Sequence, residues 1–327
     1  MARDMERAEM EINGHCDERF SVVRDAFEAN FLADEELGAS AAVTVDGQYV
    51  VDLWAGQRNH NGDPWERDTI VNVYSTTKTM ASICILMLAD RGVIDFQKPV
   101  AEYWPEFGSN GKDSVLVRHV MTHQTGCSGF PRPVTPEELY DHDLMAGLLA
   151  GMEPWWEPGT APGYHAITQG TLQAELMRRI DGRTLGTFFR DEVTAPLGAD
   201  FHIGLPLSEG HRVAQLDVPQ EGIDQIVESD PDSIAARTFR SCRLDGTETE
   251  TDEWRSAEIP AGGGIGNARS ISRVHSAIAC GGTIDGVTLM KPETIEAALD
   301  RQTFDRDLVL GLNVPYGTGF GINHERI

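Results

Sequence analysis

The chain has 327 residues, 40% of them hydrophobic and 7% aromatic, which is enough for one large core or two lobes sharing one. A formal net charge of -25 excludes a nucleic-acid binder, because phosphate recognition needs basic patches. The longest apolar run, about Ile83–Ala89, is too short to span a bilayer, so neither a membrane nor a nucleic acid is an expected partner.

The first 17 residues read as a ragged, charged lead-in without an apolar signal stretch, which points to a cytoplasmic protein. The five cysteines (Cys16, Cys84, Cys127, Cys242 and Cys280) are widely spaced and odd in number, the pattern of reduced thiols. Phe20, Val23, Phe27 and Phe31 recur at helical spacing and predict a one-sided helix over 19–31. Residues 38–56 form two β-rich runs around Asp46-Gly47, a two-residue hairpin signal. A third strand over 69–75 leads to Ser75, and the following "KTMASICILMLADRG" is apolar nearly all round, hence a buried helix stopped at Arg91-Gly92. Helices are expected over 114–126 and twice within 170–198. A polar loop is expected around 217–250, then a Gly-rich passage and a helix over 258–282. Strands early, helices in the middle and Gly-rich strand-like sequence late predict an α/β fold. Its sheet would draw on both ends of the chain (18–74 and 245–327), with a mainly helical lobe (75–244) inserted.

Ser75 and Lys78 form S-x-x-K at a strand-to-helix junction. One helical turn puts the amine beside the hydroxyl, and a buried lysine with a lowered pKa can take a serine proton. The helix N-terminus adds N–H donors suited to an oxyanion. A capping role for Ser75, with Lys78 on the surface, fits the pattern too, although the helix has no polar face for Lys78 to share. Tyr164 stands in the Pro- and Gly-rich "EPWWEPGTAPGYHAITQG", either as a proton relay over a cleft or packed against Trp155 and Trp156. His119 and His123 are spaced i, i+4, but Val120 occupies the position where a zinc protease needs Glu. "GGGIGNA" (262–268) has no phosphate-loop lysine, and "GCSGF" does not fit a nucleophile elbow, leaving Ser128 as a turn residue.

Ser75-Thr76-Thr77-Lys78, "HVMTHQTGCSGF" (119–130), "WEPGTAPGYHA" (156–166) and "PAGGGIGNARSISR" (260–273) occur in that order. Together, from about residue 20 to the end, they resemble the serine β-lactamase-related family of class C β-lactamases, DD-peptidases and family VIII carboxylesterases. Tyr164-His165-Ala166 is most similar to the esterase branch. The resemblance implies a β-lactamase/transpeptidase-like fold: an antiparallel sheet flanked by helices, an all-helical lobe and an active site between them. It implies an acyl-enzyme on Ser75, proton handling by Lys78 and Tyr164, a small-molecule ester as substrate, and no metal or organic cofactor. Trp155, Trp156, Phe130, His165 and Gly263 are the expected substrate-side residues, the first three partly exposed at the cleft mouth. Ala166 replaces the amide residue with which β-lactamases and DD-peptidases bind substrate, which favours an ester. The amide alternative is a β-lactam, a D-amino acid peptide or acyl transfer; the alternative of another class is a non-catalytic binding relative or an inactive fragment. The family's third motif, K-T-G or H-x-G on a late strand that lines the cleft, is not found. His202-Ile203-Gly204 comes too early, and the chain stops at "YGTGFGINHERI", so a C-terminal truncation without the last strands is expected.

Overall fold

The computed structural model describes residues 11–33, 36–217, 225 and 227–323. Most of the expected lead-in, part of the 217–250 loop and the last four residues lie outside them.

The hairpin forms as its turn signal requires. Strands β2 (Gly38–Val45) and β3 (Gln48–Gly56) pair antiparallel around Asp46 and Gly47, whose φ values of 49° and 77° are the left-handed pair of a tight hairpin turn. A bulge interrupts the register between Val43 and Thr44. β1 (Asn13–Cys16) adds to the far side of β3, giving the order β1-β3-β2. Helix α1 (Ser21–Leu32) lays Phe27 on this sheet with Phe20, Val23 and Phe31 around it, so the expected apolar stripe is the one that packs.

Strands from the two ends expected to build one sheet, 18–74 and 245–327, meet in a second, smaller sheet, which also takes a strand from within 75–244, the stretch expected as a mainly helical lobe. There β4 (Val71–Asn72) and β5 (Phe201–Ile203) flank β6 (Gly264–Gly266), both antiparallel to it. Among the described residues the larger sheet takes strands only from 13–56. What the late sequence adds there is a helix, Ala268–Ala279, tied to β2 through Thr44 and Ser276 hydroxyls 2.6 Å apart.

α2 (Thr77–Asp90) runs through the main core with Met80, Ile83, Cys84, Ile85 and Leu86 all sealed from solvent. Arg91 ends it and Gly92, at φ 71°, turns the chain away. α3 (Val117–Met121) and α4 (His142–Gly151) pack on α5 (Thr168–Ile180), which with α6 (Leu185–Phe189) packs against α2, all in one core. α3 is shorter than the helix expected over 114–126, because the chain turns left-handed at His123 (φ 60°). His119 and His123 therefore do not share a helix face.

The N-cap Asn267 starts the Ala268–Ala279 helix, α7, accepting the Ser270 N–H at 2.9 Å. α7 closes the same core from the other side, together with α8 (Pro292–Leu299). No helix among the described residues is long and apolar enough to cross a membrane.

Candidate active site

Ser75 lies on a tight helical turn (Tyr74–Thr76) between β4 and α2 and is exposed. The residue before it, Tyr74, has φ 39°, a left-handed backbone that a bulky side chain adopts only when its surroundings force it. Those surroundings are visible. The Tyr74 hydroxyl donates to Glu248 Oε1 at 2.7 Å, and its ring meets Trp254 edge-on at 6.5 Å. Its carbonyl accepts the Thr77 hydroxyl at 2.5 Å, and the Thr77 oxygen in turn accepts the Gly264 N–H at 2.9 Å. A Cβ on Gly264 would stand 2.4 Å from that same oxygen, so only glycine lets β6 come this close.

Lys78, the second residue of α2 and one turn on from Ser75, is 6% exposed. Its Nζ lies 2.6 Å from the Ala166 carbonyl, 2.8 Å from the Ala261 carbonyl and 3.1 Å from Ser75 Oγ. Burial lowers its pKa to about 7, so the neutral amine is accessible near neutral pH. A neutral amine has two N–H donors and one lone pair. The two carbonyls take the donors at the shorter distances, and the lone pair is left toward Ser75. The capping alternative, with Lys78 on the surface, is thereby excluded.

Tyr164 is brought over the pair by a loop zipped to the 123–126 turn. Gly163 donates its N–H to the His123 carbonyl at 2.8 Å, Gly159 to Gln124 at 2.8 Å, and Trp155 to Gly126 at 2.7 Å. The ring lies 4.9 Å from Lys78 Nζ, with the phenol close to the Ser75 side chain. Burial raises the phenol's pKa, the Ser75 side chain works against that rise, and the nearby Asp307 carboxylate adds to it.

Of the expected substrate-side residues, Phe130 and His165 are buried, while Trp155 and Trp156 are partly exposed. Phe130 is 1% exposed within the main core and offers a substrate no surface. His165 is sealed: Nδ1 is 2.6 Å from the Gly163 carbonyl and Nε2 is 2.6 Å from the Thr125 hydroxyl. Burial brings its pKa down to about 4, and it serves as a neutral strut. Trp156 is half-buried, donates to the Ala161 carbonyl at 2.9 Å and lies on Gly163. Trp155 is half-buried with the Arg237 guanidinium 4.2 Å from its ring centre. Gly263 turns toward Ile259; its neighbour Gly262 is the glycine beside Tyr74, and Gly264 makes the close approach. His202, on β5, pairs with Asp200 at 3.0 Å, away from Ser75.

The residues that sequence reasoning missed are mostly supports. Ala166 and Ala261 act through backbone carbonyls, which no side-chain motif reports. Asp307 signals itself only faintly, as an Asp accepting the N–H groups two and three residues on, from Val309 and Leu310. Among the described residues, no three His, Cys, Asp or Glu side chains gather as a metal site requires. A cavity of about 830 Å³ lined by Tyr140, His142, Arg178 and Glu258 includes none of Ser75, Lys78 and Tyr164.

The Beta-lactamase family model matches residues 24–326. The chain is 38% identical, over 93% of its length and 73% of the relative's, to the esterase/beta-lactamase LipL of Mycobacterium tuberculosis. A crystal structure of a family VIII carboxylesterase superposes with a TM-score of 0.89 at 39% identity, covering 96% of this chain and 84% of that one. A penicillin-binding protein homologue from Caulobacter crescentus gives a TM-score of 0.86 at 38% identity over the same shares.

Proposed function

The chain belongs to the beta-lactamase family, and from that premise we propose that it cleaves carboxylic esters through an acyl-enzyme on Ser75, with Lys78 as base and Tyr164 as proton relay. It is a serine hydrolase whose similar relatives include esterases. The observation that carries the assignment of roles is the three-way setting of Lys78, buried between two carbonyls with Ser75 Oγ at 3.1 Å.

The chemistry follows from that setting. Neutral Lys78 takes the Ser75 proton while Oγ bonds to the ester carbonyl carbon, and the carbonyl π electrons move onto oxygen. The N-terminal end of α2 and the Ser75 backbone N–H favour that oxyanion. When the tetrahedral adduct collapses, the carbon–alkoxide bond breaks and the alkoxide takes a proton passed from Lys78 through the Tyr164 hydroxyl. Water then attacks the acyl group by the reverse sequence, and Ser75 recovers its proton. An ester is favoured over an amide because Ala166 has no side-chain amide to hold a substrate amide, and its carbonyl already accepts from Lys78. The five unpaired cysteines support a reducing, cytoplasmic setting.

The test pairs p-nitrophenyl butyrate with a chromogenic cephalosporin and seeks an acyl adduct on the Ser75 peptide by mass spectrometry. We expect ester turnover and a Ser75 adduct, and a Ser75→Ala variant slowed about 10⁴-fold or more. Ester turnover that survives Ser75→Ala would remove the nucleophile. Faster turnover of the cephalosporin would move the assignment to amide chemistry.

A further inference from the structure

A buried carboxylate from the late part of the chain reaches the tyrosine of the site. Asp307 is fully sealed from solvent. Its Oδ1 accepts the backbone N–H of Tyr164 at 3.0 Å, and those of Val309 and Leu310 at 2.8 Å each. Its Oδ2 accepts the Tyr316 hydroxyl at 2.9 Å. All four bonds are accepted ones, the pattern of a carboxylate rather than a carboxylic acid. The neighbouring Leu308 N–H donates to the Pro162 carbonyl at 2.9 Å, so the segment is tied to the Tyr164 loop on both sides of Gly163. Tyr316 also packs its ring 5.0 Å from His123, whose ring lies 5.0 Å from that of Tyr164.

We propose that Asp307 is a positioning residue for the reaction: it joins the Tyr164 loop to the 307–316 segment and fixes the phenol on Ser75. This rests on the roles assigned above to Ser75, Lys78 and Tyr164. The geometry makes the case before any charge is considered. Val309 and Leu310 turn the chain so that the carboxylate points at the Tyr164 N–H, and Tyr316 holds the second oxygen. With both oxygens engaged, the carboxylate cannot rotate without breaking bonds in a sealed environment, where each lost bond is costly.

Charge then adds a second consequence. The groups facing Tyr164 are Lys78 from α2, His123 from the turn after α3, its neighbour His165, and Asp307 with Tyr316 from the late segment. Burial lowers the pKa of both histidines, to about 4 for His165, so they are neutral at pH 7. Once Lys78 is neutral, Asp307 is the one remaining charge in this group, and a negative charge opposes a tyrosinate. The phenol therefore stays protonated as a relay, and Lys78 is left as the group able to take the Ser75 proton.

Asp307→Asn keeps the size of the side chain and a carbonyl oxygen for Tyr164 but removes the charge. Tyr316→Phe removes one donor and leaves the charge less compensated. We expect Asp307→Asn to lower kcat about 10- to 100-fold on p-nitrophenyl butyrate with little change in KM, as small misplacements of a catalytic group do. We also expect the alkaline limb of its pH–rate profile to move to lower pH, since the phenol loses its proton more easily. Tyr316→Phe should move the same limb to higher pH. Opposite shifts are not expected from a loss of packing. Wild-type kcat and an unmoved limb in Asp307→Asn, with Ser75→Ala inactive, would overturn the proposal while leaving the nucleophile in place. If Asp307→Asn does not fold, an unmoved or downward-shifted limb in Tyr316→Phe overturns it. An active Ser75→Ala variant is a different result and strikes the function itself.

Discussion

At the scale of single residues, the site turns on what burial does to an amine. Lys78 is protonated in water and costs free energy to bury in that form, so burial brings its pKa to about 7. With Lys78 as the proposed base, the sign for catalysis is direct: the amine is blocked below that value and freed above it. Ester hydrolysis, read as kcat/KM from pH 5 to 9, should rise through an apparent pKa near 7. Lys78→Arg should be slower by about 10²- to 10⁴-fold at every pH, because a guanidinium does not give up its proton. A flat profile, or an active arginine variant, would assign the base elsewhere. That Ser75, Lys78 and Tyr164 come together was legible in the sequence because the signal resides in side chains with recognisable spacing. Their partners were not. Two of the three atoms around Lys78 Nζ are main-chain oxygens, from residues 88 and 183 positions away along the chain.

At the scale of elements, the short strand β6 decides how closely the Gly-rich passage meets the turn that carries Ser75. The Thr77 hydroxyl connects them, donating to Tyr74 and accepting from Gly264. Gly264→Ala places a methyl 2.4 Å from that oxygen and 2.7 Å from the Phe201 ring, so either β6 or the turn must shift. We expect a loss of about 1–3 kcal/mol in chemical denaturation and a larger proportional loss in kcat than in KM. Unchanged stability and kcat would show that the contact can relax. The sequence singled out Gly263 of this passage as a substrate-side residue, one position away from the glycine that makes the close approach. Side-chain direction reverses at each step of an extended strand, so a one-residue error exchanges the facing neighbour. The hairpin and α2 were read more closely because turn chemistry and all-round hydrophobicity are local signals. α3 came out shorter because its end is set at His123, where the turn under the Tyr164 loop begins.

At the scale of the whole molecule, one core runs from α2 through α5 to α7 and α8, and its polar inclusions set a pH limit. His119, His123 and His165 are buried, and burial depresses the pKa of each, to about 4 for His119 and His165. The folded-state values lie below the unfolded one near 6.5, so the unfolded chain binds protons first as the solution is acidified. Stability should therefore fall as pH drops from about 6.5 toward 4, by about 3 kcal/mol from His165 alone. Glu175 has the same sign in a lower window. Burial alone would raise its pKa, but bonds from His142, Arg178 and Arg179 bring it to about 2, so its contribution is lost below the ordinary carboxylate range. Thermal melts at pH 7, 6 and 5 separate the two, and an unchanged Tm across them would contradict the histidine assignment. The overall α/β design was legible from the order of patterns along the chain. Which strands share which sheet was not, because pairing between β4, β5 and β6 joins residues far apart in sequence, and each strand is only two or three residues long.

The carbonyls that hold Lys78 belong to the polypeptide backbone, and that has a consequence for how such a site can diverge. A side-chain partner can be lost in one mutation. A main-chain oxygen survives replacement of the residue that bears it, provided the chain keeps its path. The amine proposed as the base is thus secured by the course of the chain, which leaves the side chains around it free to change. A new leaving group can be accommodated by exchanging residues at the rim without rebuilding the proton-transfer apparatus beneath it.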